Sequence, residues 1–580
     1  MNKTDFINGI LAKMTTEQKI GQCVVVGMSG TQITNDLREA ITKYQCGGIR
    51  LSPFARMFRY FSDSKAKRQD LGGDYQASLQ KIAKSGLPPY HTPEQFAEML
   101  NELRDLASQR NPAIPLQMVI DQEGDTSKDF ARGGVVQFPS NMGMAAAKDP
   151  QIAYEIAKCI AKQMKASGLD MIHSPVVDVN VNPNNPEIGF RAFSDDPKVV
   201  AEYAIAMVKG FKEEKIIAAA KHFPGRGDSA TDAHHACPTL NVDNQRFHEV
   251  ELYPYQKLIE AGCDSIMMAH GMYPQIDPVY ISTVSRKIVT GLLREKLGFQ
   301  GLITTDSMTM GALIDRYGIG DSCAMALAAG VDVILMKAEN QWRGEMFYTI
   351  KKYVADGRIS ESELDAKIRR ILSIKYDYGM FEKMGKVDAS KAAKPFTDRI
   401  VVETSQKAAR KAILVPKDEL GALPLDTKKK ILLINQQNSI KTPNDVYDHP
   451  ALFQELMEAE IPTLQTYETA FGANEDDEAG VVKFVAENKF DVVICTNFYD
   501  RADKPHGYVR ELINKGYPVV LITNTPYCIK GIGGMIPEAK TIILNMNLTP
   551  EGYRTIRDVL LGGVKPEGSW PLSNYNPLDL

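Results

Sequence analysis

The chain has no stretch of about 18 uncharged apolar residues, the length an α-helix needs to cross a bilayer, so no membrane span and no membrane partner are expected. Nor has it an excess of either charge: 68 basic against 72 acidic residues give a formal net charge of -4, which offers nucleic acid nothing to recognise. The opening MNKTDFINGILAKMTTEQKIGQ lacks a sustained apolar core and a small-residue cleavage site, so export is not expected. Cysteine is sparse as well. Cys23, Cys46, Cys159, Cys237, Cys263, Cys323, Cys495 and Cys528 form no C-x-x-C pair, and several sit inside apolar runs, which suits reduced core thiols and a cytoplasmic location. There is no low-complexity tract.

What is present is an ordinary globular composition, 44% hydrophobic and 24% charged, on 580 residues. That length exceeds the size at which one core stops growing, so two domains are expected. Eight short apolar runs punctuate the first 340 residues: CVVVGM, GGIRLS, LQMVIDQE, DMIHSPVVD, IAAAKHFPG, SIMMAH, GLITTD and DVILM. Continuous apolar character marks strands buried on both faces, as in a parallel sheet. Amphipathic stretches separate them, for example PEQFAEMLNELRDLASQ, where Thr92, Pro93 and Gln95 spell a capping box with proline at the first helical position. Eight strand-helix alternations predict an α/β fold with an N-terminal (β/α)8 TIM-like barrel. Asp121, Asp178, Lys221, His222, His270 and Asp306 all fall at or just after the C-terminal ends of these runs, where such barrels build their sites.

The barrel is expected over 1–385 and a linker over 386–397. A C-terminal α/β sandwich is expected over 398–580, with strands in KILLINQ, DVVICTN, PVVLITN and TIILNMN. The segment from Phe54 to His91 reads as a long polar loop after the second strand, of the kind that is either functional or mobile.

Three motifs are discounted. DVNVNPNN has D-x-N-x-N spacing from Asp178, but Pro183 and Gly189 stand where a calcium loop needs glycine and glutamate. Gly531, Gly533 and Gly534 are wrongly spaced for a dinucleotide turn. His222, His234 and His235 lack zinc-ligand spacing. No metal and no organic cofactor are expected.

Asp232, His234 and Asp306 together suit displacement at an anomeric carbon, which needs one group to protonate the leaving oxygen and a carboxylate to trap the oxocarbenium-like centre. Taken alone, Asp306 in TTDSMTMGAL reads equally as a nucleophile or as a helix N-cap. KHFPGRGD followed by D-x-H, TTDSMTMGAL, IDQEG, NPEIGFRAFSDDP and the closing GGVKPEGSWPLS resemble the retaining glycoside hydrolase family 3, in its β-N-acetylglucosaminidase branch. The resemblance runs over nearly the whole chain. It implies that Asp306 is the nucleophile, that Asp232 and His234 form the acid/base dyad, and that Asp121, Arg191, Lys221 and His222 hold the innermost sugar. The expected activity is that of an exo-acting β-N-acetylhexosaminidase on a small carbohydrate substrate. A family 3 phosphorylase or β-glucosidase is the enzymatic alternative, and a non-catalytic sugar-binding barrel is the other.

The chain departs from the family pattern in three places. GDTSKDFARGG replaces the usual continuation of D-Q-E-G, so a sugar-binding arginine is missing or displaced. Arg226 stands where histidine is common, and Ala233 replaces serine inside the dyad.

Overall fold

The computed structural model describes residues 2–29, 32–52, 91–125, 127–130, 133–233, 236–336, 343–437, 449–470, 475–499, 507–529 and 533–579. The expected loop from Phe54 lies outside the described residues as far as residue 90. Eight parallel strands close into a barrel: β1 Val24–Ser29, β2 Gly48–Ser52, β3 Gln117–Ile120, β4 Met171–Ile172, β5 Ile217–Phe223, β6 Ser265–Met268, β7 Leu302–Ser307 and β8 Val333–Met336. Closure is made by β8 on β1, with Val24 opposite Ile334. Every residue of β3, β5, β6 and β8 is buried, as strands covered by side chains inside and helices outside must be.

Helix starts follow local chemistry. Thr92 and Gln95 form the reciprocal capping box of helix Pro93–Ser108, whose apolar face, including Phe96, Leu100 and Leu103, is buried in the barrel core. Truncating Phe96 to alanine would cost about 3–5 kcal/mol by the usual cavity penalty. Helices Pro150–Ala166 and Pro197–Glu213 repeat the device with Asp149 and Asp196 as caps and proline next.

One strand is shorter than its sequence suggests. DMIHSPVVD reads as a full strand, yet β4 spans two residues, because Pro175 has no N–H to give the ladder. The chain rejoins the sheet at Val176, which bridges Lys221.

A second sheet of six strands follows: β9 Ile413–Asp418, β10 Ile431–Gln437, β11 Gln465–Ala470, β12 Val492–Thr496, β13 Val519–Thr523 and β14 Thr541–Asn545. Their order is β11-β10-β12-β13-β14-β9, all parallel except β9, which runs antiparallel to β14. Four of the six are the expected apolar runs. The other two are edges: β11 reads QTYETA, and β9 carries Pro416, which only an edge tolerates. Helix Arg399–Lys411 ties the two parts together, since Val401 and Ala408 join the barrel core and Ser405 Oγ donates to the Gln137 carbonyl at 2.8 Å. All eight cysteines are free thiols, and six are buried. Among the described residues no helix is long and apolar enough to cross a membrane.

Candidate active site

The C-terminal ends of the barrel strands carry a cluster of buried charges, each set against one of opposite sign. Arg50, inside β2, is ion-paired with Asp121 just beyond β3, and lies 2.6 Å from Asp129. The other oxygen of Asp121 meets His173 Nδ1 at 3.0 Å and Lys221 Nζ at 3.5 Å. Lys221, in β5, makes its short contact with Glu123, at 2.6 Å. Glu123 also accepts a two-pronged contact from Arg191, from Nε at 2.9 Å and Nη2 at 2.8 Å. Arg191 ends the 3-10 turn Gly189–Arg191, and its Nη1 lies 3.7 Å from Glu187. Glu187 then accepts from Arg226 Nη2 at 2.7 Å, and Arg226 Nη2 stands 3.7 Å from Asp306 Oδ2. A buried charge is tolerated only when paired in this way.

Electrostatics follow from the pairing. Burial alone would raise the carboxyl of Asp121, but Lys221 and then Arg50 hold it well below the usual range, so it is ionised. Burial, followed by the nearby cations Arg226, Arg191 and Lys221, keeps His222 well below the ordinary imidazole value. His222 is therefore neutral, and its Nδ1 meets Asp178 Oδ2 at 2.7 Å. Its Nε2 lies 3.9 Å from Asp306 Oδ2. Asp178 is itself pushed up to about 6 by burial, with Arg226 opposing, and its second oxygen accepts from the Arg226 backbone N–H at 2.8 Å.

Asp306 is the penultimate residue of β7. Its Oδ1 accepts from the Ser307 N–H at 2.7 Å, while Oδ2 faces His222 and Arg226, and the side chain is 18% exposed. The following helix, Gly311–Tyr317, is capped at Met310 with no side-chain hydrogen bond, so Asp306 is not a helix cap. The peptide beyond it is pinned: His270, fully buried, meets the Ser307 carbonyl through Nε2 at 3.0 Å and Thr283 Oγ1 through Nδ1 at 2.7 Å.

Of the residues expected from sequence, Asp121, Arg191, Lys221, His222 and Asp306 converge on this mouth. Asp232 lies half-buried on the loop after β5, and its carbonyl accepts from the Ala236 N–H at 3.1 Å. His234 and His235 lie outside the described residues. Sequence reading assigned no role to Arg50, Glu123, His173, Glu187 or Arg226. Arg50 did leave a trace, as a lone charge inside the apolar run GGIRLS. Asp178, first met as a failed calcium motif, is the partner of His222 instead. Among the described residues no group of three or more His, Cys, Asp and Glu is placed to hold a metal ion.

A closed parallel barrel with its polar residues gathered at the C-terminal strand ends defines the (β/α)8 class of catalytic barrels. Residues 15–374 match the glycosyl hydrolase family 3 N-terminal domain, and the chain belongs to that family. Beta-hexosaminidase A of Pseudoalteromonas piscicida is 32% identical over 302 residues, 48% of this chain and 50% of that protein, so the chain spans about half the length of this relative. Beta-hexosaminidase of Stenotrophomonas maltophilia (strain K279a) is 36% identical over 246 residues, 40% of this chain and 71% of the relative. Among solved structures, a glycoside hydrolase family 3 beta-N-acetylglucosaminidase from Paenibacillus sp. superposes with a TM-score of 0.81 at 27% identity, covering 97% of this chain and 99% of that one.

Proposed function

We propose that the protein is a retaining exo-β-N-acetylhexosaminidase that releases terminal N-acetylglucosamine from amino-sugar oligomers. The observation that carries this reading is Asp306: a carboxylate at the end of β7, one oxygen held by its neighbour's N–H and the other turned toward His222 and Arg226, in a chain whose relatives are named hexosaminidases. In the first step Asp306 Oδ2 attacks the anomeric carbon as the glycosidic bond breaks, and His234 gives its proton to the leaving oxygen. In the second, His234 takes a proton from water, the water oxygen attacks the same carbon and Asp306 leaves, so configuration is retained. Asp232 orients the imidazole and stabilises its cation. Asp121, Arg191, Lys221 and His222 hold the sugar, and no metal or organic cofactor takes part. Cell-wall fragments are the substrates this reading favours, and a cytoplasm the setting. In this reading the barrel spans 1–385, the linker 386–397 and the second domain 398–580.

The test is a panel of nitrophenyl glycosides, assayed with and without phosphate, on wild type and Asp306→Asn. Expected are a strong preference for the 2-acetamido sugar, because donors built for an absent substituent are left unpaired, retention of configuration, and loss of turnover in the variant without unfolding. Equal kcat/KM on glucoside and N-acetylglucosaminide, inverted product, or an active Asp306→Asn would overturn it. A sugar phosphate formed only with added phosphate would replace hydrolysis by phosphorolysis.

A further inference from the structure

Glu187 is where the two sides of the mouth meet. It is 2% exposed, on the chain between β4 and β5. Its backbone is fixed by Asn185, whose Oδ1 accepts from the N–H of Glu187 at 3.0 Å and of Ile188 at 2.9 Å. The Asn185 amide also donates to the carbonyls of Arg226 at 2.9 Å and Gly227 at 3.2 Å. Gly227 leaves no room for a side chain, since a Cβ there would lie 1.8 Å from the Val179 carbonyl oxygen. The segment bearing Glu187 and the start of the loop after β5 are thus clamped together.

The two carboxylate oxygens of Glu187 serve different partners. Oε1 accepts from Arg226 Nη2 at 2.7 Å, the same nitrogen that stands 3.7 Å from Asp306 Oδ2. Oε2 accepts from the backbone N–H of Ala233 at 3.2 Å. Ala233 separates Asp232 from His234. A counter-ion for Arg226 needs no contact with that amide. Arg226, for its part, is not turned for maximal hydrogen bonding: its Nε and Nη1 find no partner among the described residues, while Nη2 is spent between Glu187 and Asp306. The 2.7 Å contact to Arg226 is of the short, charge-assisted kind, which fixes where the Glu187 carboxylate sits and so where its second oxygen meets Ala233.

We infer that Glu187 is the positioning residue of the acid/base turn, holding it through the Ala233 amide and registering it to Asp306 through Arg226. The inference rests on the reading of His234 as the acid/base. It extends that reading by identifying what holds the residue between Asp232 and His234, and it gives Arg226, which stands where histidine is common, a partner and a purpose.

Glu187→Gln is the sharp test. A glutamine has the same shape but one acceptor oxygen, so it cannot serve both Arg226 and the Ala233 N–H. Glu187→Gln, the double variant Glu187→Gln/Arg226→Gln and His234→Ala are compared by kcat/KM on 4-nitrophenyl N-acetyl-β-glucosaminide, which needs little protonation, and on N,N′-diacetylchitobiose, which needs much. The nitrophenol burst counts the correctly folded sites in each preparation. Acid assistance is worth about 10²–10⁴-fold, so a misplaced acid should cost Glu187→Gln at least about tenfold more on the disaccharide than on the nitrophenyl substrate. The double variant, which removes both members of the Glu187–Arg226 pair so that neither is left without the other, should show the same discrimination. Equal losses on both substrates, or none, with His234→Ala still discriminating, would overturn the inference and leave the reading intact. A His234→Ala that does not discriminate would overturn both.

Discussion

Lys221 interrupts an apolar strand and is 3% exposed, a position only pairing makes tolerable. It lies 2.6 Å from Glu123 and 3.5 Å from Asp121, and it is the largest of the nearby charges that keep Asp121 ionised against its burial. Lys221→Met would strand two buried carboxylates with one cation fewer. Breaking a buried pair costs about 3–5 kcal/mol, and because Arg191 still holds Glu123 and Arg50 still holds Asp121, the lower end is expected. Urea unfolding should show about 3 kcal/mol lost, and the substrate KM should rise. The sequence announced this residue plainly, as a charge at the end of an apolar run. Its partners were not announced: Glu123 stood in a quoted motif without a role.

The loop after β5 is an element with its own anchor. Gly225 takes φ +114°, and a side chain there would also crowd Glu251, whose Cβ would be 3.1 Å away. Tyr273 Oη donates to the Gly225 carbonyl at 2.6 Å. Arg246 joins this loop to Glu251, reaching Asp228 at 3.2 Å and Glu251 Oε1 at 3.0 Å. Glu251 Oε2 is buried with no partner among the described residues. Burial raises this carboxyl to about 7, with Arg246 opposing. The folded-state value lies above the unfolded one, so its favourable contribution is full below about pH 4.5 and is lost as pH rises through about 7. Glu251→Gln should therefore match wild type near pH 4.5 and exceed it by about 3 kcal/mol at pH 8, read from denaturant midpoints at the two pH values. Helix caps such as Thr92 and Asp149 were readable because capping is chemistry between neighbours in sequence. The truncation of β4 and the edge strand β11 were not: one depends on where Pro175 falls in a ladder, the other has no apolar run to betray it.

At the scale of the molecule, the second sheet braces the barrel loops that carry the site. Asn180 donates to Tyr527 Oη at 2.7 Å, Tyr499 Oη donates to the Pro186 carbonyl at 3.1 Å, and Asp125 accepts from the Leu548 N–H at 2.9 Å. Glu123, Glu187 and Arg191 are close neighbours of these contacts in sequence. Asp195 closes the chain's final stretch onto the barrel by accepting from the N–H groups of Ser573 at 2.7 Å and Asn574 at 2.9 Å. Asp195→Ala leaves both without this acceptor, at a cost of about 1–3 kcal/mol. Hydrogen exchange should quicken at 571–576 while the barrel strands keep their protection. Equal acceleration everywhere would mean that Asp195 supports the whole fold rather than the docking of this stretch.

The sequence by itself determined what is local. Apolar runs of strand length, proline and capping residues at helix starts, and polar residues at the ends of eight runs were enough to specify a barrel and the end of it that matters, since periodicity and capping act within a few residues. Tertiary structure decided the pairing of charges. Arg50 meets a carboxylate 71 positions away, and Glu187 meets Arg226 across 39. In an unfolded chain these groups are solvated and any cation serves any carboxylate. Only when the barrel closes and water leaves does each buried charge require one particular partner, and that choice depends on which loops the strand order brings side by side.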